Sequence, residues 1–245
     1  IGGNVTTALS IANYLCACKL SSKQIFSFKS SSNTLKIPKP EIQIFGGGAH
    51  SGNKKSFQDF LIYPLIELDL EDFFNNVHNI FYRSKHMLES NNNFYGYCDE
   101  GGLYPNNLNH YQICEIINES IVKNNLVPGK EIGISLDVAA TNFYKNGLYT
   151  LYDNELNSDD LTNIYDNLIS NYNVSLIEDP YEEKDFASFS RLRNKHSNVA
   201  KIIGDDLTCT NLNSLEKALN LDAINGIIIK INQCGTISET LEVIN

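Results

Sequence analysis

No stretch of this chain approaches the ~18–20 consecutive apolar residues of a membrane-spanning helix, which excludes a membrane span of that kind. Cations are few, 19 Lys and Arg against 29 Asp and Glu, and they form no basic stripe. A nucleic-acid partner is excluded on that ground. The six cysteines include no CxxC pair. Cys16-x-Cys18 alone is a weak metal signal, so the thiols read as buried and reduced, in a cytoplasmic compartment. The apolar helix expected over Thr7–Lys19 has no basic segment ahead of it, so it reads as a helix and not as a signal peptide. Gly46-Gly47-Gly48 lacks the Lys-Ser/Thr ending of a P-loop and the spacing of a dinucleotide fingerprint.

Against these absences, 42% of the 245 residues are hydrophobic, enough for a sizeable core. The length fits one α/β barrel or a domain and a half. The net charge of −10 is spread along the chain and forms no block.

Four apolar, β-type runs end in a charged residue. Ile132–Leu136 runs into Asp137, and Ser175–Ile177 into Glu178-Asp179-Pro180. Ala200–Gly204 runs into Asp205-Asp206, and Ile227–Ile229 into Lys230. The steps between Asp137, Glu178, Asp205 and Lys230 are about 41, 27 and 25 residues, one strand plus one helix each. In α/β folds the chemistry sits at the C-terminal ends of the strands. Three carboxylates and a lysine are therefore expected to face a common centre.

Earlier in the chain, Leu20–Pro40 is Ser- and Lys-rich and reads as a linker, Glu41–Phe45 as a strand and Phe57–Tyr63 as another. Helices are expected over Asp69–Glu89 and Asn107–Asn125, with a loop at Asn91–Asn106 between them. His78 and His86 read as ordinary helix histidines. Three more amphipathic helices follow, and Thr236-x-x-Glu239 opens a last one as a capping box. The count is six strands: two strands, two helices, then alternation. An eight-stranded barrel needs two more, so the chain reads as a fragment. A doubly wound sheet is the rival fold, but it gathers ligands at one crevice and does not converge four strand ends on one ion.

Asp137, Glu178 and Asp205 are hard oxygen ligands, and three of them with open positions suit Mg²⁺. Strand-end acids also cap helices, but three crowded together without compensation are costly. Lys230 either pairs with an acid or acts as a base. Metal charge and partial burial would favour the neutral amine. Glu100 lies in the glycine-flanked loop Asp99-Glu100-Gly101-Gly102 and can serve as an acid.

These segments carry a resemblance. Cys98-Asp99-Glu100-Gly101-Gly102-Leu103-Tyr104-Pro105-Asn106 resembles the GDEGGxAPN signature of enolases. Ile177-Glu178-Asp179-Pro180 resembles their SIEDP segment, Asp205–Asn211 their DDLTVTN and Lys230–Thr236 their KxNQIGT. Leu136–Ala140 and Phe143–Gly147 also fit. The resemblance implies an enolase-type ββαα(βα)n TIM-like barrel, incomplete here at about six of eight strands. Residues 38–245 would form it, and residues 1–37 would be the remnant of an α+β N-terminal domain with its linker. It further implies reversible dehydration of 2-phosphoglycerate to phosphoenolpyruvate. Asp137, Glu178 and Asp205 would hold Mg²⁺, Lys230 would be the base and Glu100 the acid. His50, Gln58 and Asp59 would meet the substrate. The full-length protein would be a homodimer. The second reading is a paralogue kept as a binding or structural protein, and the third is a dehydratase on another carboxylate.

Four positions depart from the family pattern. Asp59 replaces a glutamate and is one methylene shorter. Cys98 replaces a glycine, Tyr104 an alanine and Asn142 a glutamate. Asp59 is expected to stand back by about one carbon–carbon bond, roughly 1.5 Å, which slows turnover. Also absent from the chain are the serine-containing lid loop and the arginine–serine pair and lysine that grip substrate. The chain alone is therefore expected to be inactive.

Overall fold

The fold is described from a computed structural model that covers residues 2–27, 36–52 and 55–245, without the side chain of His50. In chain order its elements are α1 (Gly3–Leu20), β1 (Ile42–Gly46), β2 (Asp59–Pro64), α2 (Leu70–Ser90), β3 (Phe94–Tyr97), β4 (Leu103–Pro105) and α3 (His110–Lys123). Then come β5 (Ile132–Asp137), β6 (Tyr144–Lys145), β7 (Leu148–Leu151), β8 (Asn154–Leu156), α4 (Ser158–Tyr172), β9 (Val174–Glu178) and α5 (Phe186–His196). Last are β10 (Lys201–Gly204), α6 (Leu212–Asn220), β11 (Gly226–Ile227), α7 (Ile231–Cys234) and α8 (Ile237–Ile244). The middle of the expected linker, 28–35, lies outside the described residues.

One sheet positions everything else. Its order is β11-β10-β9-β5-β2-β1-β4-β3, an open run. The six expected strands are all present in it, and the barrel is unclosed. β5, β9, β10 and β11 are parallel, while β2 runs antiparallel to both β1 and β5. Strands buried on both faces carry little charge along their length, and β5 is such a strand: Ile132, Ile134 and Leu136 on one face and Gly133 and Ser135 on the other are all buried. Helices cover the outside. Asp69 caps α2 by accepting from Glu71 N at 2.8 Å. Reciprocal capping boxes, Asn109–Gln112 and Asn157–Asp160, start α3 and α4. Phe73, Ile80, Ile113, Ile117, Leu161, Leu168, Phe189 and Leu192 carry their buried faces into the core.

Three local expectations are corrected. The loop expected over Asn91–Asn106 contains a hairpin, β3–β4, whose second strand also pairs in parallel with β1 through Phe45 and Leu103. Leu103 is fully buried, and that burial holds the hairpin on the sheet. The strand expected over Ile227–Ile229 stops at Ile227, where its pairing with β10 ends. Lys230 is instead the residue that precedes α7, with its N–H donating to Thr210 Oγ1 at 2.9 Å. Among the cysteines, all six are free, but Cys16 and Cys209 are exposed. Segment 144–156, which drew no secondary-structure expectation, is a three-stranded sheet of its own. Asn146-Gly147, both at positive φ, form its first two-residue turn.

α1 lies against α7 and α8, where Thr7 Oγ1 donates to Gly235 O at 3.3 Å and Ile237 N to Ser10 Oγ at 3.0 Å. Among the described residues, no helix is long and apolar enough to cross a membrane.

Candidate active site

Strand register brings the acids to one edge. Asp59, at the start of β2, is paired with Asp137, at the end of β5, and Asp137 is paired with Glu178, at the end of β9. Glu178 is opposite Ile203 of β10, two residues before Asp205. A β-ladder of this register leaves neighbouring residues about 5 Å apart between Cα atoms, so the charges crowd. The backbone beyond the strands is braced. Ala139 and Asp179 are at φ +46° and +41°, the sparsely populated left-handed region. Val138 N donates to Glu178 O, Ala140 N to Asp179 O, and Asp179 N to Ile203 O, at 3.0–3.1 Å.

Asp179 has a separate task. Its two carboxylate oxygens accept the backbone N–H groups of Asp205 and Asp206, at 3.0 and 2.6 Å. Those bonds fix the loop that presents Asp205. Lys230 Nζ donates to Asp205 Oδ2, and Gln233 Nε2 to Asp205 Oδ1 at 2.7 Å. Gln233 is itself held by Thr210 Oγ1 at 2.7 Å. Lys230, Asp205 and Gln233 thus form one network, joined by Thr210. Gln58 Nε2 donates to Asp137 Oδ2 at 2.8 Å.

The electrostatics follow from burial and crowding. Burial, then the charges of Asp59 and Asp179, push Asp137 up to about 8, against a lowering hydrogen bond from Gln58. Burial and the charges of Asp137, Asp179 and Asp205 push Glu178 up to about 9, and Lys230 offsets only part of this. Burial raises Asp179 to about 7, although its two backbone hydrogen bonds act to lower it. At Lys230 burial acts to lower the value, but the hydrogen bond and charge of Asp205, with Glu178 and Asp137, outweigh it and hold the amine as ammonium. The neutral amine expected from partial burial is therefore not the form that this protein environment favours by itself.

This edge is chemically suited to a divalent cation. Buried carboxylates that lack enough cationic partners are costly, and a hard cation relieves that cost. Among the described residues, the three acidic groups that each bring an oxygen within 4.8 Å of the others are Asp179, Asp205 and Asp206. This set differs from the sequence-based one in two members. Asp179 already accepts two backbone hydrogen bonds. Asp137 and Glu178 stand at the ends of the adjoining strands β5 and β9 and are not part of that group.

The antiparallel half of the edge holds the other candidates. Glu100 lies in the turn at the tip of the β3–β4 hairpin, closed by Cys98 N to Gly102 O at 2.8 Å, with Gly101 at φ +90°. Asp59 is buried and accepts from Gln43 Nε2. Gln43 Oε1 accepts Gly102 N at 2.8 Å, which ties the Glu100 turn to β1. His50 belongs to a short 3-10 turn, Gly48–Ser51, and its side chain lies outside the described residues. That loop is pinched at its base by Gly47 N to Gln58 O at 2.7 Å. Sequence reading missed Gln43, Gln233 and Thr210. Gln233 and Thr210 fall inside the KxNQIGT- and DDLTVTN-like segments, so a signal was present for them. Gln43 had none, since its partners are 16 and 59 residues away.

Residues 34–245 match the family described as "Enolase, C-terminal TIM barrel domain". The chain belongs to the enolase family. Among similar curated proteins, the enolase of Lactobacillus helveticus is 33% identical over 247 residues, with 100% of this chain and 58% of that protein covered. The enolase of Mesomycoplasma hyopneumoniae is 32% identical over 265 residues, covering 100% and 59%. That of Aeropyrum pernix is 31% identical over 249 residues, covering 100% and 57%. The chain therefore spans somewhat under three fifths of the length of these enolases. Within the enolase barrel the carboxylate edge is its C-terminal end, where the loops after β5, β9 and β10 meet.

Proposed function

We propose that the full-length protein catalyses the reversible dehydration of 2-phospho-D-glycerate to phosphoenolpyruvate. The observation that supports this reading best is the convergence of Asp137, Glu178, Asp205 and Lys230 on one edge from four successive parallel strands and their loops. Asp137, Glu178 and Asp205 would hold Mg²⁺. When bound there, the ion supplies positive charge against the charge that develops on the substrate carboxylate.

Lys230 is the base. The carbon next to a carboxylate gives up its proton reluctantly, and the ε-amine of Lys230 takes it at the Nζ atom. The amine must first exchange its hydrogen bond to Asp205 and lose a proton, so Asp205 holds Lys230 in place before the reaction. Glu100 gives a proton to the departing hydroxyl, which leaves as water while the carbon–carbon double bond forms. Asp59 works beside Glu100, and Gln58 and His50 bind substrate. Residues 38–245 form the barrel unit. Residues 1–37 belong to a preceding domain and its linker. The protein works in the cytoplasm as a homodimer, and the chain alone is inactive.

The test is phosphoenolpyruvate formation by the full-length protein with Mg²⁺, alongside Lys230→Ala. Loss of the base is expected to cost about 10²–10⁴-fold in turnover. Equal turnover in the two proteins would overturn the assignment of Lys230. Absence of turnover in the parent protein would leave the non-catalytic paralogue as the reading.

A further inference from the structure

Gln43 occupies a slot cut for an amide. It reaches from β1 between a side-chain carboxylate and a backbone amide, with its Nε2 donating to Asp59 Oδ1 and its Oε1 accepting Gly102 N at 2.8 Å. A carboxylate only accepts and an N–H only donates, so the amide has one orientation. The slot is floored by two glycines. A Cβ on Gly46 would lie 3.2 Å from Gln43 Nε2 and 2.7 Å from Cys98 Sγ, and a Cβ on Gly102 would run into the Gln43 amide, 3.0 Å from its Cγ. Cys98, one of the departures from the family pattern, fills the space that Gly46 leaves.

The ladders fix how far Gln43 must reach. β1 pairs with β2 through Phe45–Phe60 and Gly46–Asp59, and with β4 through Phe45–Leu103. With these backbones set, the summed length of the side chains at 43 and 59 is set too. Asp59 is one methylene short of the family's glutamate, and the Gln43 amide meets its carboxylate where it stands.

We propose that Gln43 is a positioning residue for the two acids, matched in length to Asp59. It orients the Asp59 carboxylate directly, and it sets the Glu100 turn through Gly102. This rests on the dehydration reading above. The shortened acid is then compensated, and lengthening it alone is harmful.

A double-variant cycle in the full-length protein tests this. Gln43→Asn is too short to reach Asp59, and Asp59→Glu overfills the slot. Each alone is expected to lower kcat on the order of 100-fold, the cost of about 1 Å of misplacement, with little change in KM. Gln43→Asn combined with Asp59→Glu restores the summed length between positions 43 and 59 and returns the part of the lost kcat that the Asp59 contact carries, while the part carried by the Gly102 contact stays lost. A rise in kcat for Asp59→Glu alone, or multiplied losses in the combined variant, would overturn the pairing. If the parent shows no turnover, the dehydration reading fails, and urea unfolding of the same four proteins decides the pairing. Recovery of the midpoint in the combined variant supports it, and additive loss overturns it.

Discussion

At the strand-end edge, burial and mutual charge push Asp137 and Glu178 up to about 8 and about 9. Between α4 and α5, Asp166 is held below the ordinary carboxylate range. Burial acts to raise it there as well, but hydrogen bonds from Lys195 and His196, each at 2.6 Å, outweigh burial. The two regions use the same side-chain chemistry and differ in partners. Asp166 has two donors from α5, and it joins two helices. Asp137 has one amide, from Gln58, and Glu178 has the partial help of Lys230. An acid whose partners come from the chain is part of the fold. Acids left short of partners, on adjoining strands and at one edge, suit a charge from outside.

The largest expected effect that breaks this contrast is the pH dependence of stability without metal. The unfolded chain releases the protons of Asp137 and Glu178 at roughly pH 4, whereas the folded chain keeps them until about pH 8 and about pH 9. Across that window the folded state binds more protons than the unfolded one, so stability falls as pH rises. A cation that binds only the folded state opposes the fall. Urea midpoints of the full-length protein in chelator should drop from pH 5 to pH 9, and Mg²⁺ should flatten the drop. A level midpoint in chelator would mean that these acids carry no penalty.

The smaller effect has the opposite sign. The native value of Asp166 is depressed, so its contribution is present above roughly pH 4 and is lost as the pH falls through that depressed value. Asp166→Asn should lower stability at pH 7 by on the order of 1 kcal/mol, the scale of a hydrogen bond. The difference should shrink as the pH is lowered through that depressed value. Unfolding curves of both proteins over a series of falling pH values check it, and a loss that stays constant would make the contribution one of shape and not of charge.

The contrast also bears on what could be read from the sequence. Asp137, Glu178 and Asp205 were legible because each closes an apolar run, and one strand–helix repeat carries each to the same edge. Periodicity located α2 to α6 for the same reason: local pattern and fold agree. The β3–β4 hairpin was not legible, since Asn91–Asn93 and Gly101-Gly102 read as loop while its hold on the sheet comes from β1. The end of β11 before Lys230 depended on where its pairing with β10 ends, which composition does not encode. Gln43 was hidden because its meaning lies in three strands that meet only on folding. The sheet at 144–156 did carry a signal, Asn146-Gly147, whose positive φ values are those of a tight hairpin turn.

The central claim is that the strand-end carboxylates form a cation site. Calorimetric titration of Mg²⁺ into the full-length protein and into Glu178→Gln tests it most directly. Loss of one carboxylate charge from the edge is expected to weaken Mg²⁺ binding by more than about tenfold, with the fold intact. Unchanged Mg²⁺ affinity in Glu178→Gln would contradict the assignment.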